Sequence, residues 1–311
     1  MKPSLLLIPA LLAILLSPAT AQVKIDIKQD RISVDIGQQP FTELYMGKEA
    51  HKPFLYPLRT ASGKKVSRGF PVEPLPDDPT DHPHQKGLWV GSEHLSGMDF
   101  WENDPSYHRP NMGTIVFKDV LNTRQEDGQG SFTMLSEWIS LEGEPVLTET
   151  RTMTFYAAPR DCRMFDVDLH LRAKRAVTFE DHHDSVIGIR LGPAFDEKNG
   201  GRPVNAQGGA GERGTRGQRS EWVDWQANLD GEKVGVALMD HPSNFAFPTR
   251  WHIRSMGLLV ASPFAQHDYS ALAPDSGKTL KAGEELHLRY RILIHPATAD
   301  VAAVFKEFSA K

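Results

Sequence analysis

The sequence predicts an all-β protein, a large antiparallel β-sandwich with one short C-terminal helix, on three observations. Apolar and polar residues alternate with a period of two along most of the chain. Gly, Pro, Asn or Asp bounds most of the alternating segments, as turns require. A clear helical period appears only at the C-terminus.

Taken in order, the chain opens on a different kind of signal. Lys2 precedes an apolar run from Leu5 to Leu16 that only Pro9 interrupts, and Ala19-Thr20-Ala21 forms a small-x-small site before Gln22. This is the pattern of a secretory signal peptide over residues 1–21, which places the mature protein in the periplasm or outside the cell. The run is too short to span a bilayer, and no later stretch approaches about 20 apolar residues, so no membrane span is expected.

Residues 22–311 then read as a single β-sandwich domain. Val23, Ile25 and Ile27 alternate with Lys24, Asp26 and Lys28, and Ile32, Val34 and Ile36 alternate with Ser33 and Asp35. Further strand-like segments cover 113–120, 131–140, 146–156, 163–171, 186–191, 234–239, 257–261 and 285–294. Strands at this density, with few helical stretches between, imply antiparallel sheets packed face to face. At the end, Thr298 can cap a helix and Asp300 suits its first turn. Val301, Val304, Phe305 and Phe308 share one face of it.

Two segments break the period. Residues 70–83 hold five prolines, so they form an extended loop. Residues 199–220 hold seven glycines and no apolar period, which predicts a flexible excursion between strands. Within it, Gly209-Ala-Gly211-Glu-Arg-Gly214 matches a dinucleotide fingerprint literally but has no buried strand before it and no helix opening at it, so no cofactor is expected.

Composition narrows the function classes. With 40% apolar and 24% charged residues the chain is neither disordered nor collagen-like. Its net charge of −5 gives it no general attraction to nucleic acid or anionic lipid. The single cysteine, Cys162, cannot form an internal disulfide and reads as a small buried hydrophobe.

Three clusters could carry chemistry. Asp81-His-Pro-His84-Gln-Lys86-Gly-Leu-Trp89 follows the proline-rich loop. Pro83 biases His82 toward an extended backbone, and residues two apart in an extended chain point the same way. His82 and His84 can then face one pocket as general acid and base, with Trp89 as a flat apolar partner for a sugar ring. Pinning of the loop by the same histidines is the alternative, and two imidazoles fall short of a metal's three or four ligands. The second cluster, Asp240-His241-Pro-Ser-Asn244, ends an apolar strand, with Arg250, Trp251 and His252 close behind. It reads as a polyol-binding wall or as an Asx-type turn with aromatics in the core. The third, Glu180-Asp-His-His183-Asp184, reads as a solvated turn, with a carboxylate–histidine pair as the less favoured alternative. Arg59, Arg68, Glu149 and Arg151 are lesser candidates, each either solvent-facing or paired across a concave face. No nucleophile elbow, zinc-protease helix, phosphate loop or paired C-x-x-C is present.

Tyr56-Pro-Leu-Arg59, Asp81-His-Pro-His84 through Trp89, Gly97-Met-Asp-Phe-Trp101, Asp240 to Asn244, Pro248 to His252 and Leu288 to Arg291 together resemble a bacterial family labelled PmoA-like. The resemblance runs from about residue 40 to 295. In that family the first motif commonly ends His-Arg-Gly where this chain has Gln85-Lys86-Gly87, which weakens a three-histidine metal site. The resemblance implies a secreted sandwich similar to galactose mutarotase. It does not imply a membrane oxygenase, which needs several membrane-spanning helices.

The expectation is an exported carbohydrate-active protein acting on a small sugar or an oligosaccharide. His82, His84 and His241 are the catalytic candidates, and no metal is assigned. Arg59, Lys86, Trp89, Trp101, Asn244, Arg250 and His252 are the substrate-binding candidates. A non-catalytic sugar-binding protein using the same wall is the first alternative, and a metal-dependent hydrolase the second. If the export reading holds, N-terminal sequencing of the mature protein will start at Gln22; a chain that still begins at Met1 would refute it.

Overall fold

The computed structural model describes residues 22–311, so the expected signal peptide lies outside the described residues. The strands come in chain order. β1 (Val23–Ile27), β2 (Arg31–Ile36), β3 (Gln39–Tyr45), β4 (Phe54–Tyr56) and β5 (Leu88–Ser92) are the first. β6 (Thr114–Glu126), β7 (Gln129–Ile139), β8 (Pro145–Tyr156), β9 (Arg163–Ala173), β10 (Val177–Phe179) and β11 (Ser185–Arg190) follow. β12 (Arg202–Asn205), β13 (Trp222–Leu229), β14 (Glu232–Asp240), β15 (Arg250–Arg254), β16 (Leu258–Ser262), β17 (Lys278–Leu280) and β18 (Glu285–Pro296) complete them. Short helices α1 (Gly211–Thr215) and α2 (Gln266–Tyr269) sit in connections, and α3 (Val301–Ser309) closes the chain.

Two eight-stranded sheets result. The first runs β1-β2-β3-β4-β5-β11-β16-β15 and the second β12-β13-β14-β18-β9-β8-β7-β6, with β10 and β17 as a separate ribbon. Neighbouring strands pair antiparallel throughout. Their facing sides form one continuous core. Val34, Leu88, Val90, Ile187 and Leu259 come from the first sheet, and Met153, Phe165, Val167, Leu288 and Ile292 from the second. Among the described residues no helix is long and apolar enough to cross a membrane.

The two sheets differ in what lies behind them. Strands β7, β8 and β9 alternate buried with half-buried positions, so one side of the second sheet reaches solvent. Strands β5, β11 and β16 are buried at every position. Their outer side is covered by loops, which explains near-continuous apolar runs such as Leu88-Trp-Val. Such short runs carry little alternation, and β5 escaped the reading of period two, as did β3, β4, β10, β12, β13, β15 and β17.

Register aligns one row across that outer side. Tyr45, Phe54, Trp89, Gly188, Val260 and His252 stand opposite one another from β3 to β15. Gly188 provides the space in which the row packs. A Cβ there would lie 2.7 Å from Trp89 Cζ2 and 2.9 Å from Trp101 Cη2, and both indoles are fully buried.

Two local expectations are corrected. Helix α3 is capped by Asp300, whose Oδ1 accepts from Ala303 N at 3.0 Å, and Thr298 lies outside it. Residues 199–220 are an ordered segment that contains β12 and α1 and buries Thr215 and Ser220, because Asn205 Oδ1 and Ser220 Oγ satisfy its turns.

Gly188→Ala should overpack the indole pair and lower stability by about 1–3 kcal/mol. Urea unfolding should show a lower midpoint at unchanged slope. A variant as stable as the parent would mean that the two indoles are free to move.

Candidate functional site

Polar groups gather on the outer side of the first sheet, where loops meet its central strands. Strand β5 runs out into Glu93 and His94. Residues His182, His183 and Asp184 lead into β11, beside Glu93, whose N–H donates to Asp184 O at 2.9 Å. Strand β15 contributes His252. The loop after β5 folds back across the sheet, so close that a Cβ on Gly91 would lie 2.4 Å from Phe100 O. Asp99 Oδ1 fixes its turn by accepting from the N–H groups of Trp101 and Glu102, each at 2.8 Å. Helix α2 is held against the same place because the Asp181 carboxylate accepts from the N–H groups of His267, Asp268 and Ser276.

Four imidazoles stack in sequence there. Ring centroids are 4.1 Å apart for His94–His182, 4.4 Å for His182–His183 and 4.2 Å for His183–His252. Oxygens of Glu93, Asp99 and Glu102 lie within 4.8 Å of one another beside the stack. Burial, then the neighbouring imidazoles His183 and His94, push His182 down to about 4. Burial, with His183 next, holds His252 well below the ordinary histidine range. Burial, then the negative charges of Glu93 and Glu102, raises the Asp184 carboxyl well above its usual value. Burial raises Glu93 as well, with Glu102 and Asp99 adding to it. The stack opens on a cleft of about 650 Å³ lined by His183, Asp268, Tyr269, Glu212, Arg213 and Arg216.

An unbroken line of contacts leads from these carboxylates to the first histidine cluster. Arg109 meets Glu102, lies 3.8 Å from Asp99 and covers the Tyr107 ring at 5.3 Å. Tyr107 stands 5.7 Å from His84, and His84 stands 5.6 Å from His82. His82 is 43% exposed at its side chain, and its Nδ1 meets the Asp81 carboxylate. Partial burial pushes Asp81 up, but Arg190, the bond to His82 and Arg68 outweigh it and hold the carboxyl below its usual value. His84 is buried with no partner at Nδ1. Burial first, and then the charge of Lys52, holds it neutral far below the ordinary range.

The backbone of this cluster differs from expectation. His82 has a φ of 47°, in the left-handed region, instead of the extended conformation favoured before proline. Arg68 holds it there by donating to the carbonyls of Asp81 at 2.7 Å, His82 at 2.8 Å and Gln85 at 3.1 Å. Arg68 and Arg190, both buried, thus fasten the histidine loop to the sheet.

The remaining candidates fall in several places. His82, His84 and His252 belong to the outer-face band, and Arg250 is at its margin, tied to Gly217 O and Gln266. Lys86 is buried against Asp104 at 2.8 Å. Trp89 and Trp101 are fully buried below the band, so neither presents a face to a ligand. Arg59 bonds Gly63 O within its own turn. His241 is on the second sheet, where Arg289 meets its Nε2 at 3.1 Å and Phe308 of α3 packs on its ring, so it does not join His82. Asn244 is the Asx-type tie of that turn, bonded to Asp240 and Arg289. Glu149 and Arg151 form a buried pair between the sheets, with Trp138 Nε1 donating to Glu149 at 2.7 Å.

The third cluster is less solvated than expected, half-buried at each of its five positions. Residues Glu180 to Asp184 read as a solvated turn, yet they supply the centre of the stack. Glu93, His94, Asp99, Glu102, Arg109 and Tyr269 were not singled out. They are scattered through short connections, Tyr269 in α2 and the rest in the loop after β5, and only the packing of these segments on one sheet brings them together.

In fold the chain is similar to a heparan sulfate lyase, HepC from Pedobacter heparinus, at 10% identity and a TM-score of 0.42. That alignment covers 94% of this chain and 38% of the lyase, so the chain spans about two fifths of its length. It is similar to a GalM/aldose epimerase homologue from C. elegans at 9% identity and a TM-score of 0.36, covering 89% and 99% of the two chains. Heparinase III is similar at 11% identity and a TM-score of 0.36, over 91% of this chain and 36% of that one. No curated protein matches the sequence. The family of unknown function DUF6807 matches over residues 31–309, and the chain belongs to that family.

Proposed function

We propose that this is an exported carbohydrate-active protein that moves a proton on a sugar or glycoside bound along the outer-face band. The observation that carries the reading is the Asp81–His82 pair, half-exposed at one end of a line of hydroxyl-binding groups. With Asp81 accepting from Nδ1–H, the tautomer of His82 is set and the Nε2 lone pair is free to take a proton. A neutral His84 beside it adds no charge to oppose that step. Arg109 can donate to sugar oxygens, and Glu93 and Glu102 can accept from hydroxyl groups. Ring-opening epimerisation begins with such a transfer from the anomeric hydroxyl, and glycosidic cleavage by elimination with one from a ring carbon; the same imidazole, once protonated, can return the proton to the leaving oxygen. His241, closed off by Arg289 and Phe308, takes no part in it. The kinship with the PmoA-like family, finer than the family assignment above, belongs to the same proposal.

Incubation of the protein with a panel of neutral and acidic oligosaccharides, read by mass spectrometry and by anomeric proton signals, tests this directly. One substrate class should be converted, and His82→Ala should slow that conversion about 10²–10⁴-fold with little change in melting temperature. Binding without conversion would instead make the protein a sugar-binding module.

A second outcome concerns pH. Because the fold holds His84 neutral, its proton is taken up on unfolding. Below about pH 6.5 the unfolded state therefore binds the extra proton, and stability falls as pH falls, by up to about 1.4 kcal/mol per pH unit. His84→Gln should flatten the urea-unfolding stability curve between pH 6.5 and 5 by that slope. An unchanged curve would mean that His84 is protonated in the folded protein.

A further inference from the structure

We propose that His183, Asp184 and His252 form a binding site for one divalent first-row transition metal ion at the mouth of the outer-face cleft. The site is separate from the proton transfer assigned to His82. The two imidazoles, packed 4.2 Å apart, each approach one oxygen of the same carboxylate: His183 Nε2 lies 3.9 Å from Asp184 Oδ2, and His252 Nε2 lies 3.9 Å from Asp184 Oδ1. Neither gap is a hydrogen bond, and Asp184 Oδ1 is buried with no hydrogen-bond partner at all. A cation bonded at about 2.0–2.1 Å to both kinds of atom would close each gap with movement of about half an ångström.

The other nitrogen of each ring is already anchored. His183 Nδ1 lies 2.5 Å from Asp268 Oδ2, and His252 Nδ1 lies 2.5 Å from Tyr269 Oη. With the protons on Nδ1, both rings donate to these oxygens and turn the Nε2 lone pairs toward Asp184. Outer oxygens that fix ring orientation in this way are the usual support of metal-binding histidines. Here both supports come from α2, which the Asp181 carboxylate pins to the same loop. The donor set, two imidazoles and one carboxylate, suits zinc, cobalt or iron rather than calcium or magnesium, which prefer oxygen alone. Three protein ligands leave a coordination position, and His183 lines the cleft of about 650 Å³ into which it would open.

Two other clusters are less suitable. On the second sheet, His170 Nε2 and His287 Nε2 already lie 3.0 Å from Asp168 Oδ1, in direct contact that leaves no space between them. His94 is 45% exposed and divides its nitrogens between Glu93 and Glu180, with no anchored ring orientation.

The test uses the whole mature protein stripped with a chelator and titrated with Zn²⁺ by calorimetry, then with Co²⁺ by visible absorption. One Zn²⁺ should bind per chain, and Co²⁺ should give ligand-field bands of nitrogen and oxygen donors without thiolate charge transfer. His252→Ala and the isosteric Asp184→Asn should each weaken Zn²⁺ binding at least 100-fold. Tyr269→Phe, which removes only the ring support, should weaken it about 10–100-fold. His170→Ala should leave it unchanged. Failure of the wild-type protein to bind one equivalent would overturn the proposal, as would loss with His170→Ala and retention with Asp184→Asn. If His252→Ala does not fold, the isosteric Asp184→Asn and the conservative Tyr269→Phe still decide the matter, with His170→Ala as the control for the other cluster of the same donors.

Discussion

Gly188 has no side chain, and two tryptophans occupy the space that one would fill. The outer side of the first sheet is organised around this packing. Trp89 from β5 and Trp101 from the returning loop lie against β11 and form, with Phe54, Tyr56, Leu258 and Val260, a second apolar layer behind the main core. That layer makes β5, β11 and β16 dry on both faces. It also seats the loop carrying Asp99, Glu102 and Arg109 on the sheet, at the level where β5 and β11 present Glu93 and Asp184.

A sheet buried on both sides imposes an electrostatic condition on whatever polar groups it carries. Charges there must be paired, bonded or surrendered. Arg68 and Arg190 meet it by donating to loop carbonyls, Gln85 and Asp81. Lys52 donates to Trp101 O and Asn103 Oδ1, and burial, helped by the charge of Lys86, lowers its ammonium to about 7. His84, His182 and His252 meet it by staying neutral. Neutral His182 and His252 beside an Asp184 carboxyl raised well above its usual value leave lone pairs available in a buried place. The same burial that stabilises the arrangement makes it chemically ready.

The second sheet shows the contrast. Its outer side meets solvent or α3, and several of its charged residues form closed local pairs. Arg291 is bidentate on Asp166 at 2.6 and 2.9 Å, and His295 meets Asp224 at 3.0 Å. Asp240, also buried there, is raised to about 7 by burial, against the bonds from Asn244 and Thr249. These groups are satisfied by one another. Buried atoms without a partner occur on both sheets, on Arg151 and Tyr290 in the second for example, but those on Asp184 and His84 are the ones that lie in the outer-face band.

The sequence by itself determined the class of fold, because a period of two is a property of each strand alone. Alternation along 131–140, 146–156 and 163–171 marked β7, β8 and β9 directly, and the apolar face of 301–308 marked α3. It also drew attention to His82, His84 and His252 as imidazoles in loops or at strand ends. Only the tertiary structure decided which of them act together. His82 and His241 both precede proline and look equivalent in the chain, yet one ends on the outer side of the first sheet and the other beneath α3. Glu93, Asp99, Glu102 and Asp184 looked like ordinary loop carboxylates, since convergence depends on three loops landing on one sheet. No local period encodes such long-range packing, so the strands could be read from the chain and the site could not.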